Sequence, residues 1–340
     1  MGHTHDDAIA EFSIPGLVES LYIEDLNSTG DPVQSFSGVL DRAATGNPDW
    51  LNQIVGLERV GDSLVVNAME FYDGAADNTT TTLVVEEADN LSASSVSALH
   101  RMEGGARSAG WLSRIPQNWQ DTLNAEYLSG NASGDPIIGR LSVGPSAFAV
   151  DLPSSLTSET SEVIEAEELQ GFSLDNPLRA DLYNDSRTNM LWTHMSHARY
   201  GFIVPGTRSY LTVGWSAGHQ TGVGYKNILE DGRECGGFCP LSSSDAYNYY
   251  WLWDMDDWQR VKNGEIEPYE IEPYASGELN LPFQTGPHLN EIGGASYDEA
   301  SGLLYVSILR ANIKGFDNPP VIVAFSIEVA GPAGAVAGGN

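Results

Sequence analysis

Basic residues are scarce in this chain. Its 340 residues include 3 Lys and 13 Arg against 47 Asp and Glu, a formal net charge of −31. A surface this negative repels phosphate backbones and anionic headgroups, so nucleic acid and anionic membranes are poor partners. Long hydrophobic runs are missing as well. The longest, near 319–325, falls far short of the roughly 18 apolar residues of a transmembrane helix. The opening stretch MGHTHDDAIAEFSIP carries no signal-peptide pattern. No GxSxG elbow, P-loop, HExxH, or GxGxxG leading into a helix occurs, so serine-nucleophile and nucleotide-cofactor chemistries have no support.

Cysteine is limited to Cys235 and Cys239, in RECGGFCP. The pair can close a local disulfide in an oxidising compartment or form half of a metal site. With no second pair and no His close in sequence, the disulfide is favoured.

What is present suffices for a sizeable core: 41% of residues are hydrophobic and 19% charged, which excludes wholesale disorder. Acid excess with almost no Lys suits a secreted or periplasmic chain kept soluble in saline surroundings, where screening blunts self-repulsion. Helical patterns are short, at 49–53, 116–124 and 158–169. Elsewhere short apolar and alternating segments stand between Gly, Asn and Asp turns, as in SLVVNAMEFY, TTLVVEE, SYLTVG and AYNYYWLW. AEFSIPG near the start echoes VAFSIEVAG near the end, and SAFAVDL and YWLWDMDD are looser echoes. Each reads as an outer strand, preceded by a strand like DSLVVN or GLLYVS. A further opening strand, GGASYD, begins the last unit.

Repeated small antiparallel sheets predict an all-β protein, a β-propeller with long loops and short helices. Repeat length alone gives about seven blades. Strand clusters give five, at 340/5 = 68 residues each, and five is the preferred count. The expected organisation is one propeller domain over 1–329, its first blade incomplete or closed by the C-terminal strands, and a Gly/Ala tail over 330–340. A β-sandwich is the competing fold.

Several segments, in order, resemble a family of uncharacterised secreted bacterial β-propeller-like proteins. They are NAMEFYDG, PIIGRLSVGPSAFAVD, FIVPGTRSYLTVG, CGGFCP with AYNYYWLWDMDD, RVKNGEIEPYEIEPY, and IGGASYDEASGLLYVS running into PPVIVAFSI. The resemblance covers well over half the chain and departs from it at the abbreviated N-terminus. It implies a repeat β-fold with a cysteine pair in a late loop, and no particular reaction.

Inner strands of a propeller converge on its axis, so one unusual polar group per unit is the pattern to seek. Candidates are His3 and His5, Glu70, Arg140, then His194, His197, Arg208 and His219, and last Glu291. Glu70 stands in an apolar strand, where burial raises a carboxyl pKa as a general acid requires. Glu70 and Glu291 are the expected acid–base pair of a glycoside hydrolase, about 5–5.5 Å apart for retention or about 6.5–9.5 Å for inversion. A polysaccharide lyase would instead use His197 or Tyr200 as proton acceptor, with Arg208 neutralising a uronate. Arg140, Arg208, His194, His219 and Trp215 are the expected substrate contacts. No cofactor is required. Asp73 and Asp77 fit Ca²⁺ weakly, and the three histidines fit Zn²⁺ only through tertiary folding. The expected partner is a carbohydrate, bound by a monomer. A non-catalytic propeller that binds a glycan or a protein is the rival from another class.

Overall fold

The computed structural model describes residues 7–70, 80–132, 142–152, 163–229, 232–284 and 289–328. His3, His5, Asp73, Asp77, Arg140 and the 330–340 tail lie outside them.

The N-terminal segment pairs β1 (Ile9–Glu11) with β2 (Gln34–Phe36) in a small separate sheet. Blade 1 follows as β3 (Gln53–Val60), β4 (Ser63–Met69), β5 (Thr80–Val85) and β6 (His100–Met102), each antiparallel to the one before. Gly61, at φ 63°, makes the two-residue turn between β3 and β4, a backbone conformation that glycine adopts without steric cost. Blade 2 opens with β7 (Trp111–Arg114). The expected helix follows as α1 (Gln117–Leu123), then β8 (Tyr127–Gly130) and β9 (Ala147–Val150). The short β10 (Val163–Ile164) returns to extend blade 1 in parallel with β6, and β11 (Ala166–Gln170) completes blade 2. The described part of the predicted helix over 158–169 is therefore strand.

Blade 3 consists of β12 (His197–Ile203), β13 (Ser209–Ala217), β16 (Ala246–Asp254) and β17 (Ala275–Glu278). Its β13–β16 connection carries the two-stranded β14 (Val223–Tyr225) and β15 (Phe238–Pro240), with Cys235 and Cys239 joined in a disulfide. The sequence YWLWDMDD runs from β16 straight into α2 (Met255–Lys262), where the Asp254 carboxylate accepts from the Asp256 N–H at 3.0 Å and caps the helix. Blade 4 has three strands: β18 (Ile292–Asp298), β19 (Leu303–Ile308) and β20 (Val321–Ser326).

The fold is thus a β-propeller, and its blades number four rather than five. The fifth unit was the N-terminal segment. Its apolar residues Ile9, Phe36, Val39, Leu40 and Leu51 pack onto blade 1 with Val66, Leu83 and Val85, so it covers a blade instead of forming one. Leu26 of the same segment packs against blade 4 beside Ile308, Ala311 and Val321.

The first strand of each blade lies innermost: β3 packs on β7, β7 on β12, and β12 on β18. At the joint of blades 1 and 2 the approach is backbone to backbone. A Cβ on Gly56 would stand 1.8 Å from the Gly110 carbonyl oxygen, and one on Gly110 would stand 2.0 Å from that of Gly130. Asn67, fully buried in β4, binds the same joint. Its amide donates to the Gly110 carbonyl at 3.0 Å and to Ser129 Oγ at 3.2 Å, and accepts from Thr82 Oγ1 at 2.7 Å. Rings fill the core across blades 2 to 4. Trp192, Trp251, Trp253 and Trp258 are fully buried, and the indole N–H of Trp251, Trp253 and Trp258 each finds an acceptor. Tyr249, Trp251 and Trp253 of AYNYYWLW are core, and Tyr247 and Tyr250 are half-buried against it.

Candidate functional site

The four inner strands bring their C-terminal halves around one cavity of 440 Å³. β3 contributes Glu58, and β7 contributes Ser113 and Arg114. Tyr200, Phe202 and Ile203 come from β12. Tyr297 and Asp298 close β18, with Glu299 just beyond. Period-two alternation puts Tyr200 and Phe202 on one face of β12. Phe202 stacks against Tyr297, with ring centroids 4.9 Å apart and planes 12° from parallel. The Tyr200 hydroxyl accepts from the Tyr297 N–H at 3.1 Å and so ties blade 3 to blade 4 at the cavity.

Charge here is unevenly compensated. Glu58 is half-buried, and desolvation pushes its carboxyl up to about 7, against the smaller opposing effects of the Arg59 N–H and the Arg114 charge. Asp298 is held below the usual carboxylate range by hydrogen bonds from Ser301 Oγ at 2.6 Å and the Ala300 N–H at 3.1 Å. Two carboxyl groups in one cavity are thereby driven in opposite directions, one kept protonated near neutrality and one kept ionised. Burial pushes the Tyr200 phenol well above its ordinary value, so it stays protonated. Ser113 is buried, and its Oγ has no hydrogen-bond partner among the described residues.

Of the residues expected from sequence, Tyr200 is in this cavity. Glu70 follows the last residue of β4, a second strand, and does not line it. Glu291 immediately precedes β18, at the other end of that strand, and pairs with Arg310 at 3.0 Å. His197 begins β12 at the same far end and lies flat on Trp215, with ring centroids 4.2 Å apart. His219 is buried beyond the end of β13, its Nδ1 3.0 Å from the Asn189 carbonyl oxygen, and burial pushes its pKa down. His194 precedes β12 and stacks on Phe238 in the disulfide-bearing connection. Arg208 is taken up by Asp256 at 2.5 Å and Asp254 at 3.2 Å, beside the N-terminus of α2. The structure therefore stacks His197 on Trp215 and buries His219 against Tyr249, none of them lining the cavity, and separates Glu291 from it. Among the described residues no three His, Cys, Asp or Glu side chains converge as a metal site.

Glu58 and Arg114 escaped the sequence reading. In GLERVGD, Glu58 stands between Leu57 and Arg59 like any alternating surface charge. The available signal was positional: this strand leads into DSLVVN, the second strand of its blade, and so must be the inner one.

No protein family, curated protein or solved structure matches the chain. No helix among the described residues is long and apolar enough to cross a membrane.

Proposed function

We propose that the chain is a secreted, carbohydrate-active propeller that hydrolyses a glycosidic bond in its axial cavity. Glu58 is the proton donor and Asp298 the ionised partner. The supporting observation is the convergence of these two carboxyl groups with the stacked Phe202–Tyr297 wall on one 440 Å³ cavity. Aromatic faces receive the CH-bearing faces of sugar rings, and a proton donor must meet the leaving oxygen where water is scarce. The disulfide accords with an oxidising compartment, and the charge of −31 with saline surroundings. The Glu70–Glu291 pairing is replaced by Glu58–Asp298 because neither earlier residue lines the cavity.

Turnover of a panel of polysaccharides, followed by release of reducing ends, tests the reading. Glu58→Gln is expected to lower kcat by about 10²–10⁴. Wild-type turnover is expected to fall above about pH 7 as Glu58 loses its proton. Undiminished turnover in the Glu58→Gln variant would sink the mechanism. Binding without turnover in the wild type would establish a non-catalytic propeller instead. Elimination on a uronate is a second reading, favoured by Arg114 in the cavity wall. It yields unsaturated products that absorb in the ultraviolet, and Tyr200, held protonated, is poorly suited as its base.

A further inference from the structure

We infer that the cavity selects an acidic sugar, with Arg114 receiving its carboxylate. This rests on the reading of the cavity as a sugar site and specifies which sugar class enters it.

The few cations of the chain are unevenly disposed. Arg59, Arg107, Arg179, Arg208, Arg260 and Arg310 each hold a carboxylate at 2.5–3.0 Å. With 47 acidic residues against 16 basic ones, such pairing is common in this chain but not universal. Arg114, like Arg42, Arg101, Arg187 and Arg199, has no carboxylate within ion-pair distance among the described residues, and of these five it is the one that lines the cavity. It stands exposed as the last residue of β7, at the wall of the cavity. Its position is fixed by the pairing of Arg114 with Tyr127 of β8, a buried tyrosine.

The carboxyl group facing the same space from β3 is Glu58, which stays protonated up to about neutrality and leaves the guanidinium charge uncompensated. Asp298 and Glu299 are contributed by the other side of the cavity, from the end of β18. A sugar carboxylate is repelled there and attracted at Arg114, so the two walls fix one orientation of the ring. The planar guanidinium matches a carboxylate with two parallel N–H donors, which a hydroxymethyl group cannot use. The cavity volume of 440 Å³ falls within the range of about 300–1,000 Å³ typical of small-ligand sites.

The test compares a polyuronate with the same polymer after its carboxylates are reduced to hydroxymethyl groups. Affinity is measured by calorimetry at fixed ionic strength for wild type, Arg114→Gln and Arg114→Lys, with thermal melts to confirm folding. The wild type is expected to prefer the polyuronate by about tenfold or more, the usual scale for a charge-assisted hydrogen bond. Arg114→Gln should bring that ratio to near one. Arg114→Lys should leave an intermediate ratio, since a point charge lacks the fork. Equal wild-type affinity for the two polymers, or a ratio that survives Arg114→Gln, overturns the inference and leaves the sugar reading intact. Failure of the wild type to bind or cleave either polymer, or any neutral glycan, overturns both.

Discussion

The two ends of the propeller axis handle polar groups in opposite ways. Where β12 and β18 begin, charge is compensated. Glu291 is held by Arg310, and Asp245 accepts from the main-chain N–H groups of Gln220 and Thr221 and from the Thr221 hydroxyl at 2.7 Å. Asn248 spans from blade 3 to blade 4, accepting from the Ile292 N–H and donating to the Asn290 carbonyl. Where the same strands finish, Glu58 is half-buried against its own preference and Arg114 faces the cavity without a carboxylate. The sequence is rich in polar residues at both ends. Burial also acts at the first end, on His219; what distinguishes the site is a desolvated carboxyl beside a cation that no carboxylate holds, an arrangement suited to a ligand or a proton transfer.

The largest effect is expected at Glu58. Its folded pKa of about 7 lies above the ordinary 4.5, so the folded chain keeps a proton that the unfolded chain releases. Stability contributed by the protonated form is therefore lost as pH rises from about 4.5 to about 7, and the full penalty, up to about 3 kcal/mol, is present above that. Glu58→Gln is expected to stabilise the protein by up to that amount at about pH 8 and to have little effect below about pH 4.5. Thermal melts of both proteins across that range check it, and a pH-independent difference would refute the burial argument.

At the opposite end the expected effect is smaller and of the other sign. His197→Ala removes a buried ring stacked on Trp215 and should cost about 2 kcal/mol in chemical denaturation without moving the pH dependence of turnover. A shifted pH profile would return His197 to the chemistry. Smallest is Glu291→Gln. Its partner Arg310 is largely exposed, so the loss should stay under about 1 kcal/mol. A loss near that of His197→Ala would show that the far end carries more electrostatic stabilisation than its geometry implies.

Much of the architecture was legible because strand order repeats in the sequence. SAFAV, YWLWD and VAFSI lie in the third strands of blades 2, 3 and 4, and GGASYD is the inner strand β18. DSLVVN and GLLYVS fall in second strands. The count of five failed on Phe12-Ser13-Ile14. That tripeptide matches Phe325-Ser326-Ile327, but Phe12 and Ile14 are exposed, whereas Phe325 packs against the core of blade 4 and its neighbours. Identical local sequence carries no record of what it packs against.

The site was less legible for the same reason. Tyr200 could be found because its strand is visibly apolar and its polar tip stands out. The raised pKa of Glu58 comes from burial among residues far along the chain, against the opposing charge of Arg114, and no window around GLERV contains them. Glu70 looked buried because VVNAM is apolar, yet it sits one residue beyond the strand that gives that impression.

The glycine contacts at the joint of blades 1 and 2 bear on how this site can change. Gly56 in β3 and Gly110 just before β7 meet main chain to main chain, two and four residues from Glu58 and Arg114 respectively. The spacing of the strands that carry the acid and the arginine is therefore gauged by backbone contact, not by rim loops. Loops around the mouth can be lengthened, shortened or exchanged to suit another glycan while that spacing persists. A single methyl group at Gly56 or Gly110 would alter it directly.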